Sequence, residues 1–147
     1  MKLILHSLDD TKQLAQKIAA QIQPGMLLTL SGDLGAGKTT FTKYLGSALG
    51  IKKTINSPTF TILKVYKGKL PLYHIDAYRM EGISQDLGFD EYYEGDGLCI
   101  IEWPNFIDEQ LPKERLELEL NRIDDQQREV TLNAKGKQYE QLLEDIK

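Results

Sequence analysis

"MLLTLSGDLGAGKTTF", Met26 to Phe41, joins an apolar run to a helical pattern through a glycine-rich segment. Met26 to Leu30 form a near-continuous apolar run, the pattern of a strand buried on both faces of a sheet. From Phe41 onward, Phe41, Tyr44, Leu45 and Leu49 recur at helical spacing, up to a Gly50 that can terminate the helix. Between strand and helix, Gly32-Asp33-Leu34-Gly35-Ala36-Gly37-Lys38-Thr39 fits the pattern G-x-x-x-x-G-K-[ST], in the strand-loop-helix setting which that motif requires.

The scarcity of side chain in this loop has a physical use. With no bulk in the way, successive backbone N–H groups can curl around a phosphate and donate to it, helped by the positive end of the following helix. Lys38 is placed to reach the terminal phosphates as a mobile cation, and the Thr39 hydroxyl to hold Mg²⁺, which prefers oxygen ligands. The motif arises by chance in roughly 0.5% of chains of this length, and in fewer once the flanking strand and helix are required. A nucleotide site is therefore favoured over a plain glycine-rich turn.

Working outward, "KLILH" (Lys2 to His6) reads as a short strand, and Ser7 with Asp10 at capping-box spacing opens a helix expected over Asp9 to Ile22. Pro24-Gly25 breaks it. Beyond the loop helix, Phe60 to Tyr66 and Leu70 to Tyr78 flank the turn "KGK" and predict a strand pair. Ser84 to Tyr93 is expected to be helical despite Gly88, and "EGDG" (Glu94 to Gly97) turns the chain into a second buried strand, "LCIIEW". "LELELNRI" alternates strictly from Leu116, and "REVTLNA" follows "DDQQ", which predicts an antiparallel pair with one wet face. Gly136 to Lys147 should form a terminal helix. The order of elements predicts an α/β, P-loop NTPase-like three-layer sandwich whose mixed sheet has parallel strands at its centre and antiparallel strands added outside.

Composition narrows the class. The 147 residues are 41% hydrophobic, which suits one compact domain over residues 1–147, and no repeat or linker marks a boundary. No stretch approaches the roughly 18 consecutive apolar residues of a membrane helix, and Leu3-Ile4-Leu5 is too short for a signal peptide, so a cytoplasmic protein is expected. Cys99 is the single cysteine and reads as a buried, inert thiol. Lys and Arg number 18 against 22 Asp and Glu, a formal charge of −4, and the basic residues are scattered. That argues against a protein that grips RNA alone and leaves contact through a partner open. His6, His74 and Cys99 make no cluster at metal-ligand spacing.

A phosphate cradle needs a second carboxylate at the end of a neighbouring buried strand to position the metal's water shell. Glu102 closes "LCIIE" in that manner, with Trp103 beside it. In "LYHIDAYR" the strand period puts His74 and Asp76 on one face, and Asp76 is a candidate for orienting the attacking water. Arg79 is a weaker candidate for a charge supplied in cis. "SPTF" (Ser57, Pro58, Thr59, Phe60) lies where P-loop enzymes keep a segment that feels the γ-phosphate. "NRID" (Asn121 to Asp124) faintly resembles a guanine-reading segment, but position 122 is Arg and no Asp-x-x-Gly follows a buried strand, so ATP is favoured over GTP. "EGDG" lacks the further ligands of a Ca²⁺ loop and is read as a turn.

Together "GDLGAGKTTF", "SPTF", "YHIDAYR" and "IEWP", in this order from Gly32 to Pro104, resemble the TsaE family of bacterial tRNA threonylcarbamoyladenosine biosynthesis proteins. The resemblance implies a P-loop ATPase working with TsaB and TsaD to attach the threonylcarbamoyl group to the tRNA adenosine beside the anticodon, with TsaD as the transferase and tRNA met through the complex. Carried onto this sequence, it implies phosphate binding by Gly35, Ala36, Gly37, Lys38, Thr39 and Thr40, Mg²⁺ held by Thr39 and Glu102, catalytic roles for Lys38, Asp76 and Glu102, and a switch-like segment from Ser57 to Phe60. Arg79 and Trp103 are expected near the site. Hydrolysis alone is expected to be slow and regulated by partners. The competing expectation is a nucleotide-gated binding module whose ATP-bound state docks on partners with hydrolysis incidental. A small-molecule kinase is weaker, because no arginine-rich lid follows the helices.

Overall fold

The computed structural model describes residues 1–32, 36–53, 55, 63–76, 90–93, 95–102 and 111–147. Lys2–Leu5 forms β1, after which Ser7 caps α1 (Leu8–Ala19). The Ser7 hydroxyl accepts from the Asp10 amide at 3.4 Å, and the Asp10 carboxylate accepts from the His6 amide at 2.8 Å. This is the expected capping exchange, with the carboxylate reaching the residue before the cap. The helix stops at Ala19, short of Ile22, because the chain tightens there: the Gln21 and Ile22 amides donate to the carbonyls three residues back.

Next come β2 (Leu27–Ser31), α2 (Lys38–Ala48), and the antiparallel pair β3 (Leu63–Tyr66) and β4 (Leu72–Asp76). A single helical turn, α3 (Asp90–Tyr93), precedes β5 (Leu98–Glu102). The long hairpin of β6 (Arg115–Arg122) and β7 (Arg128–Lys135) leads to α4 (Lys137–Asp145). β4 starts two residues later than the expected Leu70, past Pro71, which has no N–H to give a ladder. The expected strand residues 60–62, 77, 78 and 103 and helix residues 84–89 lie outside the described residues.

The seven strands make one sheet in the order β1-β7-β6-β2-β5-β4-β3. β2 pairs in parallel with both β5 and β6, and β5 in parallel with β4, while β7 and β3 run antiparallel to their neighbours. The α/β architecture with a parallel centre is as expected, with one difference. β6, read as half of an outer antiparallel pair, also belongs to the parallel centre, with Leu28 opposite Leu116 and Leu30 opposite Leu118. Its strict alternation reflects one uncovered face: Leu116, Leu118 and Leu120 are buried while Glu119 and Asn121 are exposed.

Leu28, Leu30, Ile100 and Leu118 share a core cluster with Leu14 and Ile18 of α1 and Phe41 and Leu45 of α2. A smaller cluster on the opposite face joins Leu27, Ile75, Cys99 and Ile101 to Tyr93 of α3. β5 is therefore covered on both sides, and all of its residues are buried. α4 is fastened to the centre of the sheet by Tyr139, whose hydroxyl accepts from the Leu27 amide at 2.8 Å. Among the described residues no helix is long and apolar enough to cross a membrane.

Candidate functional site

β2 delivers the chain to the glycine loop between its two neighbours. Gly32 has φ +135°, and a Cβ there would stand 2.1 Å from the Leu120 carbonyl oxygen of β6, so only glycine passes that point. Gly37, at φ +103°, is the N-cap of α2 and offers no side chain to its amides. The first helical bond of that turn runs from the Phe41 amide to the Gly37 carbonyl at 2.9 Å. The amides of Lys38, Thr39 and Thr40 thus lie at the open, positive end of an eleven-residue helix. Lys38 is buried, and its ammonium donates to the Gly32 carbonyl at 2.5 Å. A phosphate is a stronger, charge-assisted acceptor than that carbonyl. Gly35 lies outside the described residues.

The two expected carboxylates end adjacent parallel strands. Glu102 is the ladder partner of Leu30 on one side and of Asp76 on the other, and both acids are buried. They lie on the face of the sheet that also carries Leu28, Leu30 and Ile100, beneath α1 and α2, because residues two apart on a strand share a face. His74 shares that face with Asp76, as expected. Its Nε2 lies 3.2 Å from Glu102 Oε2. The carboxyl ends of strands at a reversal of strand order are where open α/β sheets bind ligands. Arg79, Trp103, Ser57, Pro58, Thr59 and Phe60 lie outside the described residues.

Beside the loop opens a cavity of about 650 Å³. Ala36, Gly37, Lys38, Thr39, Thr40 and Glu102 form one wall, and Asp76 is not part of the lining. The other walls went unforeseen: Ser7, Leu8 and Thr11 at the start of α1, Leu120 near the end of β6, Gln126 in the β6–β7 turn and Arg128 at the start of β7. That turn is held by Asp124, whose carboxylate accepts from the amides of Gln127 at 2.7 Å and Gln126 at 2.9 Å. Those bonds hold its pKa below the ordinary value. Arg128 donates to the carbonyls of Asp124 at 2.7 Å and Gln127 at 2.9 Å. Its Nε comes within 4.0 Å of where a Cβ on Gly37 would stand, which sets a guanidinium beside the loop. The Asn121–Asp124 segment is thus a strand end and its turn.

Among the described residues no three His, Cys, Asp or Glu side chains gather as a metal cage. Thr39 and Glu102, which carry a hydroxyl and a carboxylate, line the same cavity. Two hard oxygen donors beside a phosphate cradle fit Mg²⁺, which keeps most of its shell as water and phosphate oxygen.

A family model described as "Threonylcarbamoyl adenosine biosynthesis protein TsaE" matches residues 5–130. The chain belongs to the TsaE family. It is 55% identical over 139 residues to the tRNA threonylcarbamoyladenosine biosynthesis protein TsaE of Bacillus subtilis (strain 168), covering 94% of this chain and 88% of that one. Against the protein of the same name from Treponema pallidum it is 38% identical over 134 residues, covering 90% and 99%. The fold matches the crystal structure of Bacillus subtilis YdiB with a TM-score of 0.85 at 46% identity, over 99% of this chain and 93% of that one. The TsaE match takes in the cavity walls at Ser7 and Arg128 as well as the loop, and so reaches beyond the Gly32 to Pro104 motifs on both sides.

Proposed function

We propose that this chain is a single-domain, cytoplasmic P-loop ATPase of tRNA threonylcarbamoyladenosine biosynthesis, acting with TsaB and TsaD and meeting tRNA through that complex. The observation that supports the reading is one cavity lined by Gly37 to Thr40 at the start of α2 and by Glu102 at the end of β5. The loop and α2 amides, Gly35 to Thr40, bind the phosphates. Thr39 and Glu102 hold Mg²⁺, which when bound neutralises charge on the β- and γ-phosphates.

The rest is done by the chain. Lys38 exchanges the Gly32 carbonyl for a phosphate oxygen and stabilises the charge that develops on transfer. Asp76, the ladder partner of Glu102 on β4, supports hydrolysis from beside it. Ser57 to Phe60 are assigned the response to the γ-phosphate, and Arg79 and Trp103 are further candidates for acting near the nucleotide. Arg128 adds a fixed positive charge beside Gly37. The remaining walls, at Ser7, Leu8 and Thr11, leave room for the nucleoside.

An arginine finger is worth about 10³ to 10⁵ in rate in P-loop enzymes, so turnover by the isolated chain is slow and partners accelerate it. The test is phosphate release from saturating Mg·ATP by the chain alone and with the TsaB–TsaD pair. Stimulation by the pair is the expected result. Unchanged turnover, with complex formation verified in the same sample, would instead favour a nucleotide-gated docking module.

A further inference from the structure

The His74 side chain has one polar contact among the described residues, with Glu102. The ring is fully buried, its Nε2 stands 3.2 Å from Glu102 Oε2, and its Nδ1 has no hydrogen-bond partner among the described residues. A histidine kept for core packing would be expected to satisfy both ring nitrogens, since an unpaired buried polar atom is costly. Among the described residues, the ring's one hydrogen-bonding contact is with the strand-end carboxylate. A carboxylate that holds a cation only accepts, so in that role the contact needs the His74 tautomer with the proton on Nε2.

The sheet register makes the pairing specific. His74 is the ladder partner of Ile100, one pleat below the Asp76–Glu102 pair and on the same face. Its side chain therefore reaches Glu102 across the β4–β5 ladder from beneath. A glutamate has three side-chain torsions to fix, and a contact to Oε2 restricts where the carboxylate of this cavity-lining residue can sit.

We propose that His74 is a positioning residue: its Nε2–H pins Glu102 Oε2 and sets the carboxylate for the divalent cation that accompanies the nucleotide. The proposal rests on the reading of Glu102 as the cation-holding carboxylate. Partners that orient a metal-binding group are worth about 10- to 100-fold in metal affinity, and that is the effect assigned to His74.

The experiment measures Mn²⁺ affinity of the ADP complex by electron paramagnetic resonance, and the affinity for a fluorescent ADP analogue in EDTA, with thermal melting as the check on folding. His74→Leu is expected to weaken Mn²⁺ binding about 10- to 100-fold while nucleotide affinity in EDTA stays at the wild-type value. His74→Gln, which can place an N–H near the same point, is expected to recover most of the loss, and it carries the test if the leucine variant does not fold. Glu102→Gln separates the two readings. If it loses Mn²⁺ while both His74 variants bind like wild type, the positioning role is overturned and Glu102 stands. If Glu102→Gln itself binds Mn²⁺ normally, the underlying site reading is overturned. Equal losses with Mn²⁺ and in EDTA for both His74 variants would show a merely structural histidine and overturn the proposal.

Discussion

Asp76 and Glu102 are direct ladder partners at the ends of two adjacent parallel strands, and Leu30, one residue before the end of β2, is the partner of Glu102 on its other side. The loop thus leaves the sheet next to two buried acids, of which only Glu102 lines the cavity. That asymmetry separates their roles. Glu102→Gln is expected to reduce Mg²⁺-dependent hydrolysis while ADP binding in EDTA survives, because the loop amides remain. Asp76→Asn is expected to lower kcat with Mg²⁺ affinity little changed. Steady-state phosphate release titrated with Mg²⁺ checks both, and identical profiles for the two variants would contradict the division.

The hydroxyl of Tyr139 ties α4 to the central strand through the Leu27 amide. Tyr139→Phe keeps the ring and leaves a buried N–H without its partner, which costs about 1–3 kcal/mol. Urea unfolding should show a lower midpoint with an unchanged slope, and nucleotide binding to the folded variant should be unaltered.

Burial in the small core cluster pushes the Cys99 thiol far above its ordinary range. The folded chain should resist alkylation by iodoacetamide at pH 8 and react once denatured, since the thiolate is the nucleophile. The linkage runs in one direction. A group whose pKa is raised on folding contributes stability below its unfolded pKa, about 8.5 for Cys, and loses it as pH rises beyond that value. Stability should therefore decline above that pH, with a slope approaching about 1.4 kcal/mol per pH unit. Cys99→Ala should flatten this decline, and an unchanged slope in denaturation curves between neutral and alkaline pH would contradict it.

What was legible in the sequence was local. The run into Gly32, the loop pattern and the helical spacing after it lie within one short stretch, and Glu102 stands out because a buried apolar run ends on it. What was hidden depends on which strands are neighbours. Ser7, Thr11 and Arg128 reach the cavity because the β6–β7 turn and the start of α1 flank the loop end of β2, a placement that no spacing encodes. The alternation of β6 identified a wet face but not its parallel partner, since a strand with one uncovered face alternates at the centre as well as at the edge. Three lysines from two segments come together in space. The Lys69 amide donates to the Leu49 carbonyl at 2.8 Å, docking the β3–β4 turn on the end of α2, and Lys52, Lys53 and Lys67 then line a second cavity of about 500 Å³.

Lys38 and the loop around it are proposed to hold the phosphates of ATP. Calorimetric titration of Mg·ATP into the wild-type chain and into Lys38→Ala measures this most directly. One site is expected in the wild type, with a loss of about 1.5–3 kcal/mol in the variant, roughly tenfold to a hundredfold in Kd. Equal affinity in the two, with both folded, would contradict the account.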